Sequence, residues 1–303
     1  MTGDRPPGLE KVRENHPLAP LTTWKIGGTA RFLAVPQDVE EVYRLFRLAH
    51  RQGIPVFFLG RGSNVLISDT GLPGLTLYLA KGLQKLERRE GVIRAGAGVA
   101  LPRLAQAAAR WGFTGFEFLA GIPGTVGAAV RLNASAHGRQ LADLLTRVWV
   151  ATPQLQLLEF RATELELGYR RSRLLLFPHW LVVEAEFVLE RKAPKDEIQA
   201  RRRDLLSERR TRQPSNPRNC GSVFKNPPEG PPAGWLIDKA GFKGQRCGDA
   251  QVSRKHANFI LNQGRATAAD IKILIERVQE AVWARFGIKL EREVVFLPED
   301  LGF

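Results

Sequence analysis

Cysteine is nearly missing from this chain of 303 residues, and its scarcity removes several classes of protein at once. Cys220 and Cys247 are too few for a framework of disulfides, and no paired Cys or His spacing suggests zinc, so no metal is expected. Long apolar runs are missing too. The most apolar stretch, residues 174–183, is interrupted by Pro178 and His179 and falls short of a bilayer's width. The opening Met1-Thr2-Gly3-Asp4-Arg5-Pro6-Pro7 has an acid, two prolines and no apolar run. No signal peptide and no membrane insertion are therefore expected, and the expected compartment is the cytoplasm. No internal repeat or low-complexity segment is visible. Hydrophobic residues at 44% and charged residues at 25% set wholesale disorder aside and allow one large core or two to three smaller ones.

Acidic residues are outnumbered, 31 against 45 lysines and arginines, for a formal charge of +14. Much of the excess is arginine between Arg201 and Arg212. Three readings compete: a nucleic-acid surface, a solvated helix face, and forks for a small diphosphate anion. No aromatic–basic interleaving or recognition-helix pattern accompanies the charge, so nucleic acid is not an expected partner.

The first twenty residues read as a loosely held lead-in. Asp38 is a good N-cap for a helix over 39–52, with Val42, Leu45, Phe46 and Ala49 on one face and Gly53 as the stop. Residues 54–59 and 65–67 are of strand length, as are 75–79 and 91–97. Pro102 opens a helix running to Trp111, and glycines dominate 112–138. Alternation over 144–158 and 180–189 predicts antiparallel strands. An arginine-rich helix over 194–211 gives way to prolines that rule out a regular element across much of 213–234. Thr267 and Asp270 form a capping-box pattern for a last helix that ends near Gly287, and 288–296 reads as a strand. The fold class is α+β with more than one core.

Three segments carry chemistry. Gly60-Arg61-Gly62-Ser63-Asn64 lies between two strands, where glycines turn the backbone and successive N–H groups suit a phosphate oxygen. It is not a Rossmann fingerprint, because Val65 stands at the third glycine and a strand follows. Taken alone it equally fits an ordinary tight turn. Gly121-Ile122-Pro123-Gly124-Thr125-Val126-Gly127 has no lysine and so is no P-loop; it reads as a close-approach loop for a planar or phosphorylated ligand, or as a packing loop. Two such loops favour a dinucleotide. Cys220-Gly221-Ser222-Val223-Phe224-Lys225-Asn226-Pro227 lacks the hydrolase elbow, since Phe224 occupies its final glycine position, and a lone serine is usually a turn residue.

In order and approximate spacing these segments resemble the UDP-N-acetylenolpyruvoylglucosamine reductase family. The resemblance starts at Thr22-Thr23-Trp24-Lys25-Ile26-Gly27-Gly28, with Trp24 where phenylalanine is common. It continues through Tyr169-Arg170-x-Ser172, Trp235-Leu236-Ile237-Asp238, His256-Ala257-Asn258-Phe259-Ile260 and Leu290-Glu291-Arg292-Glu293-Val294, reaching Phe296. The chain resembles the shorter class, without an additional tyrosine-bearing loop. Departures are Ser135 and His137, where glycine and tyrosine are common, and Ala128 in place of a glycine.

The resemblance implies a two-part FAD-binding domain of the vanillyl-alcohol oxidase type, over 1–74 and 75–192. A substrate domain over 193–303 follows, with 288–303 returning toward the FAD domain. FAD is implied to be held non-covalently by Gly60, Arg61, Gly62, Ser63, Asn64, Gly121, Ile122, Pro123, Gly124, Thr125 and Gly127. NADPH is the implied hydride donor and UDP-N-acetylglucosamine enolpyruvate the acceptor, in peptidoglycan precursor synthesis; no oligomeric partner is implied. Hydride addition at C3 leaves charge at C2, delocalised into the carboxylate, and C2 then needs a proton. The resemblance makes Ser222 the proton donor, with Arg170 and Glu293 stabilising the enolate, and puts Tyr169, Arg210 and Asn226 on the substrate. Glu293 either is protonated at that moment or orients a donor, and Glu291 is its nearest rival. An alcohol-oxidising flavoprotein would keep the glycine loops but leave Ser222, Arg170 and Glu293 without a joint purpose.

Overall fold

The computed structural model describes residues 12–189 and 191–303. They divide into two compact units, one of residues 31–61 and 73–208 with the leading segment to His16, the other of 17–30, 62–72 and 209–303. Part of the expected lead-in, residues 1–11, lies outside the described residues. The rest is ordered structure: Arg13–Pro17 is a strand, and Leu18 after it is fully buried.

In the first unit a four-stranded sheet runs in the order Arg13–Pro17, Thr29–Ala34, Leu72–Tyr78, Val56–Leu59, the last two parallel. Helix α1, Val39–Arg51, starts where the Asp38 carboxylate accepts the Glu41 N–H at 2.8 Å. Glu40 and Glu41 in its first turn and His50 and Arg51 in its last complement the helix dipole, while Val42, Phe46 and Ala49 enter the core. A five-stranded antiparallel sheet follows, in the order Leu157–Arg161, Leu145–Ala151, Leu181–Val188, Val92–Gly96, Leu86–Arg89. The alternating stretch 144–158 is thus two strands of a hairpin turned at 152–156. Helix α2 is Leu101–Arg110, with Pro102 in its first turn.

The glycine-rich stretch hides a helix that periodicity did not predict, α3 over Val126–Leu132. Small residues make it possible. Gly127 lies so close to Ala97 that a Cβ would sit 2.9 Å from the alanine's own, and its N–H donates to the Ala97 carbonyl at 2.9 Å. The arginine-rich helix α4, Lys195–Arg212, buries only Ile198, which fits a solvated face for most of its charge.

The second unit has its own core, gathered around Trp24, Phe224, Ile237, Ile275 and Val278. Helix α5, Ala233–Lys239, follows the proline-rich stretch, and α6, Ala268–Phe286, closes the unit. The reciprocal Thr267–Asp270 bonds form at 3.0 and 2.9 Å, and Asp69 adds a second cap by accepting the Ala268 N–H at 2.8 Å. Gly287, at φ +65°, ends α6. A three-stranded antiparallel sheet, Arg246–Cys247, Ala250–Val252, Ile260–Asn262, and a parallel pair, Val65–Ile67 with Val295–Leu297, complete the unit. The strand expected over 288–296 is therefore only three residues long. Upstream of it the backbone bonds to a loop instead, through Lys225 N–H to Glu291 O at 2.9 Å and Glu293 N–H to Val223 O at 2.8 Å.

Contact grouping also departs from the order of the sequence. Residues 17–30 belong with the C-terminal unit because Trp24, 1% exposed, donates its indole N–H to Ile260 O at 2.8 Å. Asn262 returns a bond to Trp24 O at 2.9 Å. No helix among the described residues is long and apolar enough to cross a membrane.

Candidate active site

The two glycine loops meet. A Cβ built on Gly60 would lie 2.8 Å from Thr125 Oγ1, so any larger residue at the end of strand Val56–Leu59 would make the Thr125 side chain at the start of α3 shift. Thr125 is buried, and Gly124 O accepts the Leu101 N–H at 3.1 Å. The N–H groups of Arg61, Gly124 and Thr125 donate to no protein acceptor among the described residues. A glycine-lined approach beside undonated N–H groups is the chemistry that phosphate oxygens need, and it fits a bound dinucleotide. Gly121 closes a short 3-10 turn over Glu117–Gly121, and Ile122 and Pro123 lead from it. Gly127 serves packing: its N–H is spent on Ala97. Gly62, at φ +60°, serves the other unit, where a Cβ would strike Leu21 O at 2.6 Å. Ser63 is half-buried, and the Asn64 amide donates to Glu293 O at 2.9 Å.

The backbones of the segments that carry Ser222 and Glu293 are bonded to each other in the second unit. The Glu293 N–H bonds to Val223 O, next to Ser222, at 2.8 Å, and Phe224 bridges Arg292. The Ser222 hydroxyl is half-buried and bonds to no protein group among the described residues. The backbone that follows Ser222, at Val223 and Phe224, is held by Asn258, a residue of the sequence motif to which sequence reading gave no role. The Asn258 side chain, 3% exposed, accepts the Phe224 N–H at 2.9 Å and donates to Phe224 O at 2.8 Å. Its carbonyl accepts the Val223 N–H at 2.9 Å. Only an asparagine amid apolar neighbours marked it in the sequence, which is a weak signal. Burial pushes the adjacent Cys220 thiol well above its ordinary value, and the Glu293 charge adds to the effect, so the thiol stays protonated and unreactive beside Ser222.

Arg170 lies in the first unit, at the tip of a tight turn closed by Gly168 and Arg171, whose backbones exchange bonds of 3.0 and 3.2 Å. Its φ of +52° is a conformation that non-glycine residues adopt at a cost of about 1–2 kcal/mol. Three anchors hold the turn. Asn133 donates to Gly168 O at 3.0 Å, Ser172 to Arg131 O at 2.7 Å, and Arg170 Nη1 to the Ser135 hydroxyl at 3.1 Å. Ser135, one of the departures, is thus a partner of the arginine. The Arg170 guanidinium also lies 5.5 Å from the Tyr169 ring, which is 56% exposed.

The remaining residues take varied places. Asn226 Oδ1 accepts the Ala233 N–H at 3.1 Å and so caps α5. Arg210 lies on α4, and its carbonyl accepts Lys255 Nζ at 2.7 Å. Glu291 pairs with Lys225 at 3.1 Å on an exposed face, as a solvent-facing charge would. His137 Nδ1 engages Glu208 at 3.2 Å.

Glycine loops that fit a dinucleotide, together with the family matches that follow, define a flavin-dependent oxidoreductase. Residues 30–160 match the FAD binding domain family, and residues 213–297 match the C-terminal domain of UDP-N-acetylenolpyruvoylglucosamine reductase. The chain is 45% identical over 289 residues to the UDP-N-acetylenolpyruvoylglucosamine reductase of Synechococcus sp. (strain JA-3-3Ab), covering 95% of this chain and 91% of that one. It is also 45% identical to the reductase of Carboxydothermus hydrogenoformans, over 95% and 94% of the two chains. The crystal structure of the reductase from Thermus caldophilus matches with a TM-score of 0.79 at 37% identity, over 95% of this chain and 98% of that one. The chain belongs to the UDP-N-acetylenolpyruvoylglucosamine reductase family.

Proposed function

We propose that the chain reduces UDP-N-acetylglucosamine enolpyruvate to UDP-N-acetylmuramate at the expense of NADPH, in the cytoplasm, during peptidoglycan precursor synthesis. The observation that supports it best is a partnerless Ser222 hydroxyl next to a backbone tied to Glu293 at 2.8 Å. FAD, when bound, supplies two-electron chemistry between NADPH and C3 of the enolpyruvyl group. In this reading residues 1–192 serve the cofactor and 193–303 the substrate, whatever their grouping by contact. Arg61, Gly124 and Thr125 hold phosphate oxygens through their N–H groups.

The protein's own residues manage the charge that develops on the substrate. Arg170 offers a fixed fork to the carboxylate and the enolate oxygen, and its charge persists at any working pH. Ser222 delivers the proton to C2. Glu293 acts as a neutral carboxylic acid, because an ionised carboxylate would repel the enolate. Tyr169, Arg210 and Asn226 line the path of the sugar nucleotide. Anaerobic bleaching with NADPH, followed by the enolpyruvyl substrate, tests the reaction: the yellow absorbance returns rapidly. A flavin that bleaches and never recovers overturns the assigned acceptor. Ser222→Ala keeps bleaching and loses recovery, and equal loss of both steps refutes the role given to Ser222.

A further inference from the structure

Asn64 stands in the first glycine loop, yet its side chain reaches the C-terminal segment of its own unit. Its Nδ2 donates to Glu293 O at 2.9 Å in a partly buried setting. Its backbone carbonyl accepts the Val295 N–H at 3.1 Å. Asn64 therefore grips the chain on both sides of Val294, just where the parallel pair Val65–Ile67 and Val295–Leu297 begins. On the other side of Glu293, the N–H is taken by Val223 O at 2.8 Å. Both peptide groups flanking the Glu293 side chain are thus fixed, one by the serine segment and one by the loop of Gly60 to Asn64. Between Lys225 N–H to Glu291 O and the start of the parallel pair, Asn64 makes the one side-chain bond to this backbone that comes from the glycine loop among the described residues.

We propose that Asn64, besides the cofactor contact that the resemblance implies, is a positioning residue for the Glu293 carboxyl: through the bond to Glu293 O it ties the acid's backbone to the cofactor loop. The proposal rests on the role given to Glu293 above and adds what aims that group. A side chain whose backbone carbonyl is unanchored can swing by an ångström or more, and misplacement of that size costs about 100-fold in a reacting complex. Alanine removes the side-chain bond and leaves the backbone bond to Val295 in place, so the parallel pair persists. Aspartate keeps the size and the backbone bond but cannot donate when ionised.

The test uses the full chain reconstituted with FAD. Asn64→Ala is assayed at saturating FAD, set by quenching of flavin fluorescence, so that any change in cofactor affinity is separated from turnover, and bleaching by NADPH slows less than recovery does. The recovery step with the enolpyruvyl substrate falls about 10- to 100-fold. Its pH profile shifts, because the acid is no longer held in one environment. In a Glu293→Gln background Asn64→Ala adds no further loss, since it acts through the group already removed. Asn64→Asp gives the same pattern and stands in if the alanine variant does not fold. Loss of FAD affinity with normal recovery at saturating FAD makes Asn64 a cofactor ligand only and overturns the proposal. Additive losses in the double variant overturn it too. Wild-type protein that bleaches and never recovers instead sinks the assigned acceptor, and with it the role of Glu293 on which the proposal rests.

Discussion

Replacing Asn258 removes two hydrogen bonds from one residue's backbone, and the cost follows from where that backbone lies. Phe224 is 2% exposed, and its N–H and C=O are both satisfied by the Asn258 side chain, at 2.9 and 2.8 Å. In Asn258→Ala both groups lose their partner in a site that water reaches poorly. An orphaned buried polar group costs about 1–3 kcal/mol, so the pair sets a range of about 2–6 kcal/mol, and we expect a loss of about 3 kcal/mol. At about 2–4 °C per kcal/mol for a domain of this class, the melting temperature falls by about 6–12 °C. Asn258→Asp refines the test. Its carboxylate still accepts the Phe224 N–H but faces Phe224 O without a proton to donate. The protonated acid is favoured in the folded state, so its folded pKa lies above the unfolded value of about 3.9. Stability is then fullest below that value and is lost as the pH rises through the folded pKa. Thermal melts of FAD-saturated protein from pH 4 to 8 read this directly, as a gap from wild type that widens with pH. Because Ser222 is two residues from Phe224, the recovery step also slows about 10-fold or more while bleaching by NADPH holds. A melting temperature within about 2 °C of wild type for Asn258→Ala, or a gap for Asn258→Asp that ignores pH, would refute the reasoning.

Other sites give sharper contrasts between the two half-reactions. Ser135→Ala deletes an acceptor of the Arg170 guanidinium at 3.1 Å; one hydrogen bond of about 1 kcal/mol amounts to roughly 5-fold slower recovery, with bleaching unchanged, and equal slowing of both steps counts against it. Gly60→Ala puts a methyl 2.8 Å from Thr125 Oγ1, so the buried threonine side chain must shift within the loop pair; FAD affinity drops about 10-fold, and an unaltered affinity would remove these loops from the cofactor site. Burial, joined by the Lys243 charge, holds His256 below its usual pKa, and its Nδ1 accepts the Asn258 N–H at 3.3 Å. That contribution is present above the unfolded value of about 6.5 and is lost as pH falls through the lower folded value; His256→Gln flattens the slope of melting temperature below about pH 6.5, and an unchanged slope contradicts it.

Local rules were legible where one residue dictates its own surroundings. Asp38 and Thr267 announced helix starts, Gly53 and Gly287 helix ends, and each element formed within a residue or two of its expected bounds. What stayed illegible depended on partners distant in sequence. Nothing near Gly127 says that a helix must press against Ala97, so the glycine-rich stretch read as loop although it contains α3. Nothing near Glu293 says that its N–H belongs to Val223, and the strand read over 288–296 is therefore longer than the one that forms. Trp24 shows the same limit at the scale of domains: sequence order puts it with the cofactor loops, while its indole N–H joins Ile260, 236 positions along the chain. The order of motifs identified the chemistry because it samples the whole chain at once. It gave Ser222, Glu293 and Arg170 the roles proposed above but not their supports, since the bonds of Asn258, Asn64 and Ser135 go to backbone atoms and a neighbour's guanidinium. A support of that kind has no periodicity and no spacing. It is defined by the bond it makes, and so becomes visible only once the chain is folded.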